Sequence, residues 1–339
     1  MPDTRVRRAV ALTTGLVVLA AALAGAALLS LAVGAQHVPF GTVLDALVHP
    51  DDTVRDSLIV TEVRLPRTLV GLLAGFALGL AGAIIQAVTR NPLADPGILG
   101  VNAGAGLFVV LGISVFGVTS LTGYVWFGFA GAALAAVVVY TIGSLGRGGA
   151  TPVKLAIAGT ALTAALLSFT TAVLVTDLQT YDQFRFWQVG SLAGRGMDIA
   201  AQGAPFLLAG VVIALASARL LNALALGDDV ATSLGQNVAV ARLIAAAAVV
   251  VLCGTATAMA GPLVFVGLVV PHVARIITGP DHRWLLPYAM LLAPLLLLVA
   301  DVLGRVIARP GEVQVGVLTA IIGAPVFVAL ARRRRLAEL

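Results

Sequence analysis

Between Thr68 and Thr89 the chain runs 22 residues without a charged side chain. A helix needs about 20 predominantly apolar residues to cross a hydrocarbon core. The same pattern recurs in Ala9 to Gln36, Gly97 to Gly146, Leu155 to Thr176, Ile199 to Ala218, Leu243 to Ala274, Trp284 to Ala300 and Val313 to Ala331. Two of these runs are long enough for two helices each, so ten spans are expected. Composition agrees: 60% of residues are hydrophobic and 11% charged, against roughly 25% charged in an average soluble domain. Mean hydropathy is +1.04. The expected fold class is therefore all-α and polytopic, with residues 1–339 forming one integral-membrane domain.

Within the 68–89 run, Gly71, Gly75, Gly79 and Gly82 recur at three- and four-residue spacing. One face of that helix is nearly bare, which lets neighbouring helices approach its backbone. Arg90-Asn91-Pro92-Leu93-Ala94-Asp95-Pro96 then ends it with two fixed-φ prolines and a short amide. A plain anchor needs no such turn.

Ten spans put both termini on one side. With Met1 cytoplasmic, 14 of the 21 lysines and arginines fall in or beside inner segments, Arg90, Arg147, Lys154 and Arg332 to Arg335 among them. The positive-inside rule favours that orientation. The 28-residue apolar run near the amino terminus is about twice a usual signal-peptide core, which reads as a retained first helix. The arginines are spread over loops rather than gathered on one face, which disfavours nucleic-acid binding.

Absences narrow the function. Lys154 is the one lysine, so no GxxxxGK[ST] phosphate loop exists and any ATP is bound by another subunit. Hydrolase and metalloprotease signatures are missing, so no catalytic residue is expected. His37, His49, His272 and His282 are scattered and Cys253 stands alone, so no metal site is expected. Ionisable groups at membrane depth, which ion-coupled carriers use, are absent from the predicted spans; Asp301, at a helix end, reads as a local partner of Arg305.

Two long connections, residues 37–63 and 177–198, fall on the outer side. Between Arg219 and Arg242, Leu226-Gly227-Asp228-Asp229-Val230-Ala231-Thr232-Ser233-Leu234-Gly235 reads as a short amphipathic helix. Asp228 or Asp229 caps it, Val230, Ala231 and Leu234 form an apolar ridge, and Gly235 ends it. Such a ridge suits a groove on a partner, or is an ordinary connector.

Taken together, RLPRTL (64–69), GLAGAIIQAVTRNPLADPGILGVNAGA (79–105), FWQVGSL (186–192), LALGDDVATSLG (224–235), AGPLVFVGLVVPHVAR (260–275), LLLLVADVLGR (295–305) and EVQVGVLTAIIGAPVFV (312–328) resemble the permease subunits of iron-siderophore, haem and cobalamin ABC importers, the FecCD or type II importer family. The resemblance runs in colinear order from about residue 60 to 330. It implies ten helices in two inverted halves, roughly 64–176 and 240–331. It also implies a second permease subunit, two cytoplasmic ATPases that bind ATP and Mg, an external binding protein that delivers the chelate, and a bacterial plasma membrane.

Site roles follow from the same resemblance. Leu226, Gly227, Asp228, Asp229, Ala231, Leu234 and Gly235 correspond to the helix that the ATPase grips. Asn91, Pro92 and Leu93 correspond to a cytoplasmic gate, whereas Pro152 and Val153 do not match its usual polar partner stretch. Arg64, Arg67 and Arg305 correspond to outward arginines that pair with the binding protein. Phe186, Trp187 and Gln188 correspond to the outer mouth of the substrate pathway. Gln314 departs from the family's usual proline, which implies a softer start to the last helix. The expected substrate is a ferric siderophore, with haem or cobalamin as alternatives; an ATP-independent secondary transporter is the alternative of another class.

Overall fold

The computed structural model describes residues 2–34, 36–145 and 151–337. Arg147 lies outside the described residues, as do the side chains of Arg333, Arg334 and Arg335. Every regular element among the described residues is helical: α1 Pro2–Ala32, α2 Phe40–Val48, α3 Arg55–Leu58, α4 Leu65–Thr89, α5 Val101–Ser114, α6 Leu121–Ser144, α7 Pro152–Thr176, α8 Leu178–Gln188, α9 Met197–Ala216, α10 Ala218–Ala225, α11 Asp228–Ser233, α12 Val238–Ala260, α13 Val266–Thr278, α14 His282–Ile307 and α15 Val315–Ala337. A π-helical stretch, Ile59–Arg64, joins α3 to α4 without a break, and a 3₁₀ turn, Pro96–Leu99, precedes α5.

Seven helices are long and apolar enough to cross a membrane, and three more, Val101–Ser114, Val266–Thr278 and Val315–Ala329, are apolar but shorter. Of the ten expected spans, seven are thus helices of spanning length among the described residues, and the other three are shorter apolar helices.

α4 is the axis of the bundle, with 78% of its membrane-length window buried. Its glycines explain why. A Cβ on Gly75 would overlap the backbone of Pro294, one on Gly79 the carbonyl oxygen of Ala289, and one on Gly82 the carbonyl oxygen of Gly267. α14 and α13 therefore lie directly on the α4 backbone, where close packing replaces the hydrophobic driving force that lipid cannot supply. α12 closes a third side.

The helix lengths repeat. α4 to α7 have 25, 14, 24 and 25 residues, and α12 to α15 have 23, 13, 26 and 23. In both series a long helix passes into a short one through irregular backbone. In both, that passage holds a non-glycine residue with positive φ, Arg90 at 51° and Phe265 at 66°.

The two long connections contain helices of their own. Residues 37–63 hold α2 and α3, and Val38, Val43, Ala46 and Val60 pack with the end of α1 in a small separate core. Residues 177–198 hold α8, in which Phe184 stacks on Trp187 at 5.6 Å between ring centroids.

Candidate functional site

At one end of the bundle, two sequence-predicted elements meet. α4 ends with Arg90 in the left-handed region, where Arg90 N–H donates to Ala87 O (3.2 Å) and Asn91 N–H to Gln86 O (3.2 Å). The Asn91 Oδ1 then accepts from Leu93 N–H at 3.0 Å, and Asn91 O accepts from Ala94 N–H at 3.0 Å. Asn91 is exposed at the mouth of this turn, with Pro92 and Leu93 half-buried behind it.

α11 lies beside it. Gly227, φ 109°, occupies its N-cap, and Asp228 is the first helical residue, making no capping bond. The capping role expected of Asp228 or Asp229 is thus corrected. The Asp228 carboxylate instead takes Arg242 Nη2 at 2.8 and 2.9 Å and lies 3.8 Å from Arg90 Nη2, because a guanidinium outcompetes a neutral N–H for a carboxylate. Gly235, φ 79°, ends the helix as expected. The ridge divides: Ala231 is buried toward the bundle, whereas Leu226, Val230 and Leu234 stand exposed.

α10 is fixed to the start of α14 through Asn222, which donates to Asp281 Oδ1 at 2.8 Å and accepts from His282 N–H at 2.8 Å. Burial would raise the Asp281 carboxyl, but hydrogen bonds from Arg283 and Asn222 outweigh it and hold the group down at about 2. Asp281 is therefore a fixed anion behind the exposed ridge.

Beyond Leu93 the chain turns back into the bundle. Asp95 Oδ1 accepts from Gly97 N–H at 2.8 Å, and the Asn102 side chain accepts from Thr257 Oγ1 at 2.9 Å. Thr257 stands 15 residues along α12 from Arg242, about 22 Å at 1.5 Å per residue. Residues 91–100 thus climb most of the way through the bundle with only the 3₁₀ turn Pro96–Leu99 as regular structure, which accounts for the shortness of α5. Irregular backbone at such depth persists only where protein buries it or a cavity meets it.

At the opposite end, Arg64, Arg67 and Arg305 come together around a cavity of about 320 Å³. They are not free rim charges. Their exposures are 5%, 7% and 5%. Arg64 Nη1 donates to Leu31 O (2.7 Å) and Ala32 O (2.8 Å), and Nη2 to Gln36 O. Arg305 Nη1 donates to Ser30 O and Val33 O, both at 2.9 Å, and Nη2 to Ser30 Oγ at 2.8 Å. These guanidinium groups satisfy the orphan carbonyls at the end of α1, where the helix dipole favours positive charge. Arg67 grips Asp301 through Nε (3.0 and 3.2 Å) and Nη2 (2.7 Å), and Glu312 through Nη1 (2.8 Å). The expected Asp301–Arg305 pair exists at 2.9 Å, but Asp301 is fully buried and shared with Arg67 rather than local.

The three residues expected at the pathway mouth do not share one environment. Phe186 and Gln188 are exposed, and Arg185 lies 4.9 Å from the Phe186 ring centroid. Trp187 is instead buried in the core against Phe184, so it does not face a pathway mouth. Gln314 opens α15: its carbonyl accepts from Val317 and Leu318, and its side chain, which a proline would lack, accepts from Ser191 Oγ.

Two features escaped the sequence reading. One is the Arg90–Asp228–Arg242 bridge, whose members are far apart in sequence. The other is α7, of which only 17% of the membrane-length window is buried although Thr160, Ser168, Thr171 and Thr176 stand exposed along it. Each hydroxyl donates to a carbonyl of its own helix, which lowers its cost in an apolar setting. The recurrence of Ser and Thr in 160–176 was the available signal.

The chain is similar in sequence to known permeases. It is 50% identical over 307 residues to the ferric enterobactin transport system permease protein FepD of Escherichia coli (strain K12), covering 90% of this chain and 91% of that one. It is 46% identical over 278 residues to the probable siderophore transport system permease protein YfiZ of Bacillus subtilis (strain 168), covering 82% and 84%. Among solved structures, an inward-facing metal-chelate type ABC transporter superposes with a TM-score of 0.82 at 27% identity, covering 95% of this chain and 99% of that one. The model of the FecCD transport family matches residues 18–333. This chain belongs to the FecCD transport family.

Proposed function

We propose that this chain is the permease subunit of an ATP-driven importer of ferric siderophores in a bacterial plasma membrane. The observation that carries the reading is α11, a short helix whose apolar ridge is exposed while its Asp228 is tied to the bundle. The ridge is a docking element for a cytoplasmic ATPase that binds ATP and Mg, since this chain has no phosphate loop. Similarity to the ferric enterobactin permease over nine-tenths of the chain supports an iron chelate as cargo.

In this reading the Arg90 end is cytoplasmic and all ten apolar helices are spans, so both termini are cytoplasmic. The matched length series, α4–α7 and α12–α15, are the inverted halves. Asn91, Pro92 and Leu93 narrow the cytoplasmic end of the pathway. A second permease subunit covers α7, the least buried of the seven long apolar helices. The Arg64 end receives an external binding protein, with Phe186 and Gln188 toward the outer mouth.

Co-reconstitution of the permease with its ATPase and binding protein in proteoliposomes, followed by uptake of a radiolabelled ferric catecholate siderophore, tests the whole assignment. Uptake should require ATP and the ATPase subunit. Uptake that persists without the ATPase would make the chain a secondary carrier, and uptake of haem or cobalamin alone would change the cargo. Within that assay Leu234→Asp should reduce uptake to background while membrane insertion and yield stay normal. Leu234 is exposed, so a loss of yield instead would show that the residue serves folding and not docking.

A further inference from the structure

The nine-residue helix α2 has three different sides. Successive residues turn by about 100° around the axis, so Val43 and Ala46 share one side. Both are buried against Leu31 and Ala32 at the end of α1 and against Val60 of the π-helical stretch. Thr42, Asp45 and His49 share a second side, within an arc of about 60°. Asp45 and His49 lie 3.5 Å apart on it, both open to solvent. Phe40, Leu44, Leu47 and Val48 share the third side, within an arc of about 100°, and their exposures run from 38% at Leu47 to 69% at Val48. Four exposed apolar side chains on one side of so short a helix are costly to leave in water.

The depth of α2 follows from α1. Arg8 near the start of α1 donates from Nη2 to Thr278 O at 2.9 Å, at the end of α13, which fixes the inner edge of the apolar run. From there, about 20 residues at about 1.5 Å each cross a hydrocarbon core of about 30 Å. The outer edge then falls at Leu28 and Leu29, both exposed. Leu31 and Ala32, against which α2 packs, stand about 4–6 Å beyond it, and any tilt of α1 brings them closer. This is the depth at which an amphipathic helix lies in the plane of the interface. The apolar side of α2 also carries on the exposed apolar surface of α1, where Val17, Val18, Leu28 and Leu29 stand open.

We propose that α2 is an in-plane anchor in the outer leaflet, with Phe40, Leu44, Leu47 and Val48 seated among the acyl chains below the headgroups and Asp45 and His49 turned to water. The inference rests on α1 being a span, and it adds a lipid contact to the outer face. Its consequence reaches the outer cavity. Val60 packs in the same small core as Val43 and Ala46, and its neighbours Ile59, Val63 and Arg64 line that cavity. Seating α2 in lipid therefore fixes the height of this wall relative to the bilayer.

The test uses the permease assembled with its partner subunits in lipid nanodiscs. Nitroxide labels are placed singly through Val18→Cys, Leu44→Cys, Asp45→Cys and Val48→Cys in a Cys253→Ala background. Power saturation then compares collisions with oxygen, which concentrates among acyl chains, and with a nickel chelate, which stays in water. The oxygen-to-nickel ratio should be on the order of tenfold higher at Leu44 and Val48 than at Asp45, and unchanged at Leu44 when the external binding protein is added. Ratios at Leu44 and Val48 equal to that at Asp45, with Val18 in the oxygen range, leave α1 a span and overturn the anchor. Shielding of Leu44 and Val48 from both reagents, or a loss of the Leu44 oxygen signal on adding the binding protein, makes this side a protein contact and overturns the lipid assignment. A Val18 label open to the nickel chelate means that α1 is not a span, and the anchor falls with that reading.

Discussion

Gly82→Ala should strongly destabilise the folded permease, whereas Gly25→Ala, in an equally apolar helix, should leave it unchanged or slightly more stable. A methyl on Gly82 would overlap the carbonyl oxygen of Gly267, which is backbone and cannot rotate aside. α4 and α13 must then separate along their contact. The cost is on the order of 3 kcal/mol, the upper end of ordinary overpacking. A methyl on Gly25 meets nothing within 4 Å, and alanine gains roughly 0.5–1 kcal/mol over glycine in a helix. Denaturant unfolding of the detergent-purified proteins gives both numbers. Equal stability of Gly82→Ala and the parent would mean that α4 and α13 do not touch there. The same logic predicts graded damage at Gly75 and Gly79, since each faces backbone of α14.

The second large effect is expected at Asp301. Asp301→Ala leaves Arg67 and Arg305 buried beside each other with their shared carboxylate gone, and Glu312 can serve only one of them. Stranding a buried charge costs about 3–5 kcal/mol. Asp301→Asn keeps an acceptor for one guanidinium and should recover part of that loss. Thermal unfolding measures the series, and α1 reports it locally, because Arg305 also caps the end of α1. Accessibility of a cysteine placed at Ala32 should rise in Asp301→Ala before the rest of the bundle opens. If Asp301→Ala unfolds with the parent protein, the three arginines are solvated rim charges after all.

Much of the bundle was legible because the bilayer imposes one rule on every span. A run such as Thr68 to Thr89 must satisfy its backbone internally, so length and lack of charge suffice to mark a helix. The glycine register in that run also named the face that packs, since a bare face has one common use in lipid. α11 was legible in extent but not in its cap. Asp228 has the right chemistry to cap, and only the fold brings Arg242, 14 residues further on, and Arg90, from another helix, within reach of it.

The outer arginines show the same division from the other side. Their position at helix ends was readable, and so was the Asp301–Arg305 spacing. Their burial was not, because it depends on the end of α1 arriving at the same point with its carbonyls unpaired. Trp187 went inward for a comparable reason: Phe184 and the bare Gly106 of α5 leave room for its ring, which no local pattern announces.

The sequence by itself therefore determined the membrane class, the apolar elements, the close-packing face of α4, the absence of a phosphate loop and the family. Each of these is a local property, set by side-chain chemistry over a turn or a span. The tertiary structure alone decided that residues 91–100 climb back through the bundle, that one carboxylate joins Arg90 to Arg242, and that Arg67 bridges the buried Asp301 and the half-buried Glu312. These arise between segments up to 245 residues apart, and the energy of a buried charge depends on which distant groups meet it rather than on its neighbours in the chain.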